Sequence, residues 1–198
     1  MPRIPYPKKL PDVIDRLPIP LNIFKMLSHA PDLVAPTADL GLALLTNSSL
    51  PPSTREMVIM AVAAEVKCAY IAVQHTPIAL DSGVTQEQLD AIAARGRRNE
   101  HFDAFHAFHS AFDAFDTSET VALDVAHDLL LSRAVEPDAF EAARNHYPEC
   151  QITELIMLVG YYSMIAGLAN GLDIDIDPWQ DREHGRAAQP AAGANRRE

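Results

Sequence analysis

Glu56, Cys68 and His75 lie within one short stretch and carry the side chains best suited to chemistry: a carboxylate, a thiol and an imidazole. An imidazole with an unperturbed pKa near ~6.5 gives or takes a proton at neutral pH, and a carboxylate on an adjacent helix fixes its tautomer. Glu56 and His75 suit those two parts, with His75 as the proton donor. Cys68 and His75 are seven residues apart. On one regular helix that spacing leaves them ~20° from the same face but ~10 Å apart along the axis, too far for a direct hydrogen bond. Cys68, expected at a helix N-terminus beside Lys67, should have a lowered pKa, which suits a pocket hydrogen-bond partner or a reactive thiol. Each residue also has a role without chemistry. Glu56 completes Ser53-Thr54-Arg55-Glu56, a capping box in which it would sit at N3. Cys68 can be a small buried hydrophobe, and His75 a hydrogen-bonded core histidine.

The elements that must position these groups are helical throughout. The Ser53–Glu56 box opens a run, Met57 to Ala64, that is apolar all round, as a central helix is. A second helix begins near Cys68 and ends at Gly83. Thr85 with Gln88 then forms a capping box for a helix through Ala94, closed by Gly96. Further helices are expected at 22–29, 32–45, 100–115, 118–132, 137–146 and 151–170, with breaks at Pro31, Pro51-Pro52, Pro137, Pro148 and Gly171. No useful stretch alternates with period two, so the fold class is all-α, with roughly eight helices. Residues 1–20 hold six of the 15 prolines and read as an extended arm lying on a neighbouring surface. Residues 21–178 form the helical domain, and 179–198, rich in Ala, Gly, Arg, Gln and Pro towards the end, form a tail.

The charge balance narrows the function. Of the 198 residues 16 are Lys or Arg and 27 Asp or Glu, a net charge of −11, which argues against nucleic acid as a partner. An anionic substrate would need local positive charge from Arg55, Lys67 or an arginine of another subunit. Two cysteines, Cys68 and Cys150, are too few for a disulfide framework, and Met1-Pro2-Arg3-Ile4-Pro5 lacks the apolar run of a signal peptide; both point to a reduced, cytoplasmic protein. Leu155 to Ala169, the longest apolar stretch, falls short of the ~20 residues that span a bilayer and reads as a core helix, so no membrane partner is expected.

The segment from Ser53 to Ile92 resembles the carboxymuconolactone decarboxylase and alkylhydroperoxidase D superfamily. The features that carry the resemblance are Arg55-Glu56, eleven intervening residues, Cys68, Tyr70, His75, Ala79 and Gly83, then an acidic amphipathic helix. Asn22-Ile23-Phe24 with Leu27 to Pro31 is similar to the family's N-terminal helix, and Leu158 to Tyr162 through Asn170 to its last long helix. The resemblance implies an all-α domain assembled as homotrimers or homohexamers, with active sites near subunit contacts. It implies cofactor-free acid/base chemistry, a decarboxylation or related lyase step, on a small carboxylated or lactone-type compound of the kind met in aromatic catabolism. His75, Glu56 and Cys68 would be catalytic, and Tyr70, Ile71, Tyr161, Tyr162 and Asn170 would line the substrate site. The peroxidase branch of the family has C-x-x-C, then three residues, then the His. Here Ile71 stands at the second cysteine position and can neither attack a peroxide nor close a disulfide with Cys68, unless Cys150 substitutes. The decarboxylase branch often has Tyr-Glu-Trp where this chain has Tyr70-Ile71-Ala72. Two other readings stand beside the lyase: a thiol peroxidase using Cys68, and a non-catalytic helical oligomer that binds a small molecule.

Remaining constellations are weaker. His106, His109 and Asp113 share one helix face in a pattern open to a metal, but they flank a stripe of Phe102, Phe105, Phe108, Phe112 and Phe115 that reads as core or interface, and no metal is assigned. Asp173, Asp175 and Asp177 alternate with Ile174 and Ile176 without the glycine and distal glutamate of an EF-hand, and read as a solvated acidic edge. Gly160 and Gly167 would let the last helix approach a partner subunit closely.

Overall fold

The computed structural model describes residues 1–17, 19–98 and 114–177. Within them every regular element is helical. A 3₁₀ turn at Ile14–Arg16 precedes eight α-helices among the described residues: α1 (Asn22–Leu27), α2 (Pro31–Thr46), α3 (Pro52–Glu65), α4 (Ala69–Asp81), α5 (Gln86–Arg98), α6 (Thr117–Ser132), α7 (Pro137–His146) and α8 (Glu149–Leu172). The helix expected at 100–115, with His106, His109 and Asp113, falls almost wholly outside the described residues, as does the tail.

Helix α3 is the axle. Met57, Val58, Ile59, Met60, Val62 and Ala63 are all buried, because α4, α5, α6 and α8 pack around it and leave no side for water. A helix apolar all round can only sit there. The capping box expected at Ser53–Glu56 does not form. Pro51 is the N-cap and Pro52 the first helical residue, with no side-chain cap, so the helix starts before Ser53 and Glu56 lies a full turn inside it. Proline's fixed φ and missing N–H suit that first position, and they win over the serine.

The joints on either side of α4 are two Schellman turns. At the end of α3 the amide of Cys68 donates to Ala63 O (2.8 Å) and that of Lys67 to Ala64 O (3.3 Å), with Lys67 in the left-handed region at φ 51°. At the end of α4 Val84 N–H donates to Ala79 O (3.0 Å) and Gly83 N–H to Leu80 O (3.1 Å), with Gly83 at φ 96°. The break at Gly83 is as the sequence indicates. So is the box that follows: Gln88 N–H donates to Thr85 Oγ1 (3.1 Å) and Thr85 N–H to Gln88 Oε1 (2.9 Å). Gly96, however, does not close α5. It lies inside the helix, buried, where a Cβ would come within 2.5 Å of the Ala64 carbonyl oxygen. Its role is close approach of α5 to α3, not termination.

Helix α8 runs 24 residues, longer at both ends than the sequence reading. By length and composition alone it could cross a membrane, yet half of its apolar window is buried inside the fold. Leu155, Leu158, Val159, Ile165 and Ala166 join the main core, while Ile156, Met157 and Met164 stay exposed on the opposite face. The proline-rich arm lies on its own chain: Arg3 N–H donates to Leu172 O (2.8 Å), and His29 Nε2 donates to Pro5 O (2.8 Å).

Candidate acid–base site between α3, α4 and α8

Because α3 starts at Pro52, Glu56 faces inward, and its side chain is wholly buried. At the middle of α4, His75 faces it. The Nδ1–H of His75 donates to Glu56 Oε2 at 2.8 Å. A carboxylate can only accept, so the proton of a neutral imidazole sits on Nδ1 and the lone pair on Nε2. Among the described residues Nε2 has no hydrogen-bond partner. The second carboxylate oxygen, Oε1, accepts no hydrogen bond, but the Arg55 guanidinium stands 3.5 Å away at Nε, and this cation keeps a buried negative charge tolerable. The pair expected from the sequence is therefore brought together, with Arg55 beside it as a third charge.

Helix α8 supplies the wall. The ring of Tyr162 meets His75 edge to face, centroids 5.0 Å apart at 88°, and Tyr161 stacks on Tyr162 in the same manner at 5.3 Å and 81°. Burial, and secondarily the negative charge of Glu56, pushes the Tyr162 hydroxyl well above its usual range. Burial pushes the Tyr161 hydroxyl up to about 12. Tyr161 donates to the Thr37 carbonyl of α2 (3.1 Å), and Gly41 makes room for it: a Cβ at that position would sit 2.3 Å from the Tyr161 oxygen. Both tyrosines thus stay neutral at physiological pH, and they hold His75 in an apolar, aromatic setting.

The other expected site residues are placed differently. Tyr70 donates to Asp177 Oδ2 and accepts from the Ile23 amide (3.2 Å), so its hydroxyl is occupied within the fold, and burial followed by the Asp177 contact raises its pKa. Ile71 is buried one turn before His75, in the main core. Asn170 is exposed and donates to the Val66 carbonyl at the end of α3 (3.0 Å). Asp177, read from the sequence as part of a solvated edge, is buried and receives hydrogen bonds from Asn22 N–H (2.8 Å), Tyr70 and Gln74 (3.1 Å). Nothing local in the sequence announces that role, since its partners are more than 100 positions away.

Cys68 departs from expectation. It is the N-cap of α4, and the nearby amides of Ile71 and Tyr70 do favour a thiolate, but burial outweighs them and the pKa is raised, not lowered. Lys67 is exposed, and the thiol lies in apolar surroundings. Cys150 cannot stand in as its partner within one chain. It begins α8, whereas Asn170, which touches Val66 beside Cys68, ends it; the twenty residues between them span about 30 Å of helix, against the ~7 Å between Cα atoms that a disulfide permits. Iodoacetamide should accordingly modify exposed Cys150 readily and Cys68 at least ~100-fold more slowly than in the denatured chain. Comparable rates for the two thiols in the native protein, read by peptide mass analysis, would contradict the buried placement.

Comparison with known proteins bears on the fold. Residues 31–112, from α2 through α5 and beyond, match the carboxymuconolactone decarboxylase family model. A comparison with curated proteins found no match. Among solved structures, a peroxidase-related protein with an alkylhydroperoxidase AhpD core from Ralstonia eutropha superposes with a TM-score of 0.70 at 21% identity, covering 93% of this chain and 96% of its own. A putative antioxidant defence protein of AhpD type from Agrobacterium tumefaciens gives 0.60 at 13%, covering 77% and 95%. The debrominase Bmp8 gives 0.62 at 16%, covering 88% and 87%. The chain is thus similar, in sequence over its central segment and in fold over nearly its whole described length, to the carboxymuconolactone decarboxylase and AhpD-like proteins.

Proposed function

We propose that this protein is a cofactor-free acid–base enzyme in which His75, oriented by Glu56, transfers a proton on a small carboxylated or lactone-type compound. The observation that carries the proposal is the buried 2.8 Å hydrogen bond from His75 Nδ1 to Glu56, which leaves Nε2 as the reactive atom. In a decarboxylation the bond to the carboxylate breaks, its electron pair delocalises into the substrate, and carbon dioxide leaves. For that step His75 first takes a proton from water on Nε2, becoming an imidazolium that the Glu56 carboxylate stabilises; the carbanion then takes this proton and the imidazole returns to its neutral Nδ1–H form. Arg55 supplies the positive field that an anionic substrate needs near a chain of net charge −11. Assembly into trimers or hexamers belongs to the same proposal. It is supported by the uncharged exposed face of α8, where Ile156, Met157 and Met164 alternate with Gly160 and Gly167, around which a Cβ would meet nothing within 4 Å.

Thiol peroxidase chemistry is the second reading, favoured by the peroxidase-related description of one structural neighbour. The buried, proton-holding Cys68, Ile71 in the position of a second thiol and the remote Cys150 all oppose it. One experiment separates the two. Carboxymuconolactone consumption should fall at least ~100-fold in His75→Ala and persist in Cys68→Ser. Turnover that survives in His75→Ala would overturn the acid–base assignment, and peroxide reduction lost in Cys68→Ser would establish the thiol reading.

A further inference from the structure

Helix α4 carries His75 but is poorly equipped to hold it. Its N-cap, Cys68, makes no side-chain capping bond, and the helix is entered through the left-handed turn at Lys67. Two residues beyond His75, Pro77 contributes no N–H to the helical ladder. A helix weakened at its start and behind its functional residue depends on side-chain ties for its rotation about its own axis. Two of these ties flank His75 itself, on adjoining rows. Ile71 and His75, one turn apart, face the core and Glu56. Tyr70 and Gln74, also one turn apart and rotated by about 100°, face a different anchor, the carboxylate of Asp177.

Asp177 arrives there by a reversal of the chain. Helix α8 ends at Leu172, Asp173 takes the left-handed conformation at φ 53°, and Ile174 N–H donates back to Ala169 O (3.0 Å). The strap that follows is pinned by buried Ile174 and by Asn22 Nδ2, which donates to Asp175 O (3.1 Å). Its last described residue, Asp177, then accepts from the Asn22 amide at the start of α1 with one oxygen, and from Tyr70 and Gln74 with the other. A carboxylate buried to 2% exposure with three donors on two helices is a fixed point in the fold.

We propose that Asp177 is a positioning residue for His75: by clamping Tyr70 and Gln74 it sets the rotation of α4 and, through it, the alignment of the Glu56–His75 hydrogen bond. The leverage is sufficient. Turning a helix by about 10° moves a side-chain tip at its ~5–6 Å outer radius by about 1 Å, which at a reacting atom is worth on the order of 100-fold in rate. The catalytic meaning of this clamp rests on the acid–base reading above, but the clamp itself is testable without turnover.

The test uses the full chain with ¹⁵N-labelled histidine. In Asp177→Asn, which keeps shape but removes the charge and turns one acceptor into a donor, the Nδ1–H tautomer of His75 should lose population. The His75 Nδ1 and Nε2 resonances should move towards each other, because a misaligned Glu56 holds the Nδ1 proton less firmly. Tyr70→Phe removes one tie and leaves Asp177 in place; it should show the same displacement at smaller amplitude, and it serves if Asp177→Asn folds poorly. Glu154→Gln, which loosens the Ser48–Ser49 loop against α8 far from α4, should lower stability without moving the His75 signals. His75 signals unchanged in a folded Asp177→Asn or Tyr70→Phe protein would overturn the proposal, as would a shift of the same size in Glu154→Gln. Failure of the acid–base reading would leave these signals as expected and show only as unchanged turnover in His75→Ala.

Discussion

Gly96→Ala is expected to destabilise the protein by about 2–4 kcal/mol, although alanine is the better helix former by about 1 kcal/mol. Position 96 lies inside α5, where a methyl group would meet the Ala64 carbonyl oxygen at 2.5 Å, its carbon at 2.6 Å and the Ala64 Cβ at 2.9 Å. These are backbone and near-backbone atoms of α3, which packed elements hold from four sides. Neither helix can yield locally, so α5 must retreat and loosen Leu89, Ile92 and Val84 from Met57 and Met60. The transition midpoint in urea should fall while the slope stays constant. Gly171, near the end of α8, has open space around it, and Gly171→Ala should hold stability or raise it by a few tenths of a kcal/mol. A stabilised Gly96→Ala protein would mean that the α3–α5 contact is not as close as described.

The second large effect concerns Glu56. Removing its carboxylate by Glu56→Ala should cost about 3–5 kcal/mol, since the change strands the Nδ1–H of His75 and leaves the guanidinium of Arg55, 12% exposed, without its counter-charge. His75→Ala should cost less, because Glu56 retains Arg55. The two substitutions act on one hydrogen bond, so the double variant should be more stable than the sum of the singles implies, by about 1–3 kcal/mol. Denaturation of the four proteins at neutral pH gives this coupling directly. Additivity to within about 0.5 kcal/mol would show that the 2.8 Å contact contributes nothing to the fold.

Much of this architecture could be read from local pattern. An apolar run without a polar face marked α3 as central, and the reciprocal hydrogen bonds of Thr85 and Gln88 formed where their spacing placed them. The pairing of Glu56 with His75 was legible as well, though the capping role offered for Glu56 was not the one it has. Two prolines in series moved the helix start upstream, and a serine that looks like a cap became an interior residue. Gly96 misled for a related reason: a glycine reads as a stop, while its use here depends on a helix some thirty residues earlier. Cys68 shows a neighbour in sequence overruled by an environment, since the lysine one residue away is exposed and burial decides the thiol. Asp177 lay beyond local reading altogether. Its alternation with isoleucines looks like an exposed edge, and only the fold brings Asn22, Tyr70 and Gln74 to it.

The contact between α2 and Tyr161 links position 41 to the site. The phenol hydroxyl occupies the space that any side chain at position 41 would need, and it holds the Thr37 carbonyl from there. Glycine at 41 and tyrosine at 161 are therefore sterically one unit, set in two helices 120 positions apart. A methyl at 41 would push the Tyr161 ring off the Thr37 carbonyl, and the displacement would pass through Tyr162 along the aromatic stack that reaches His75.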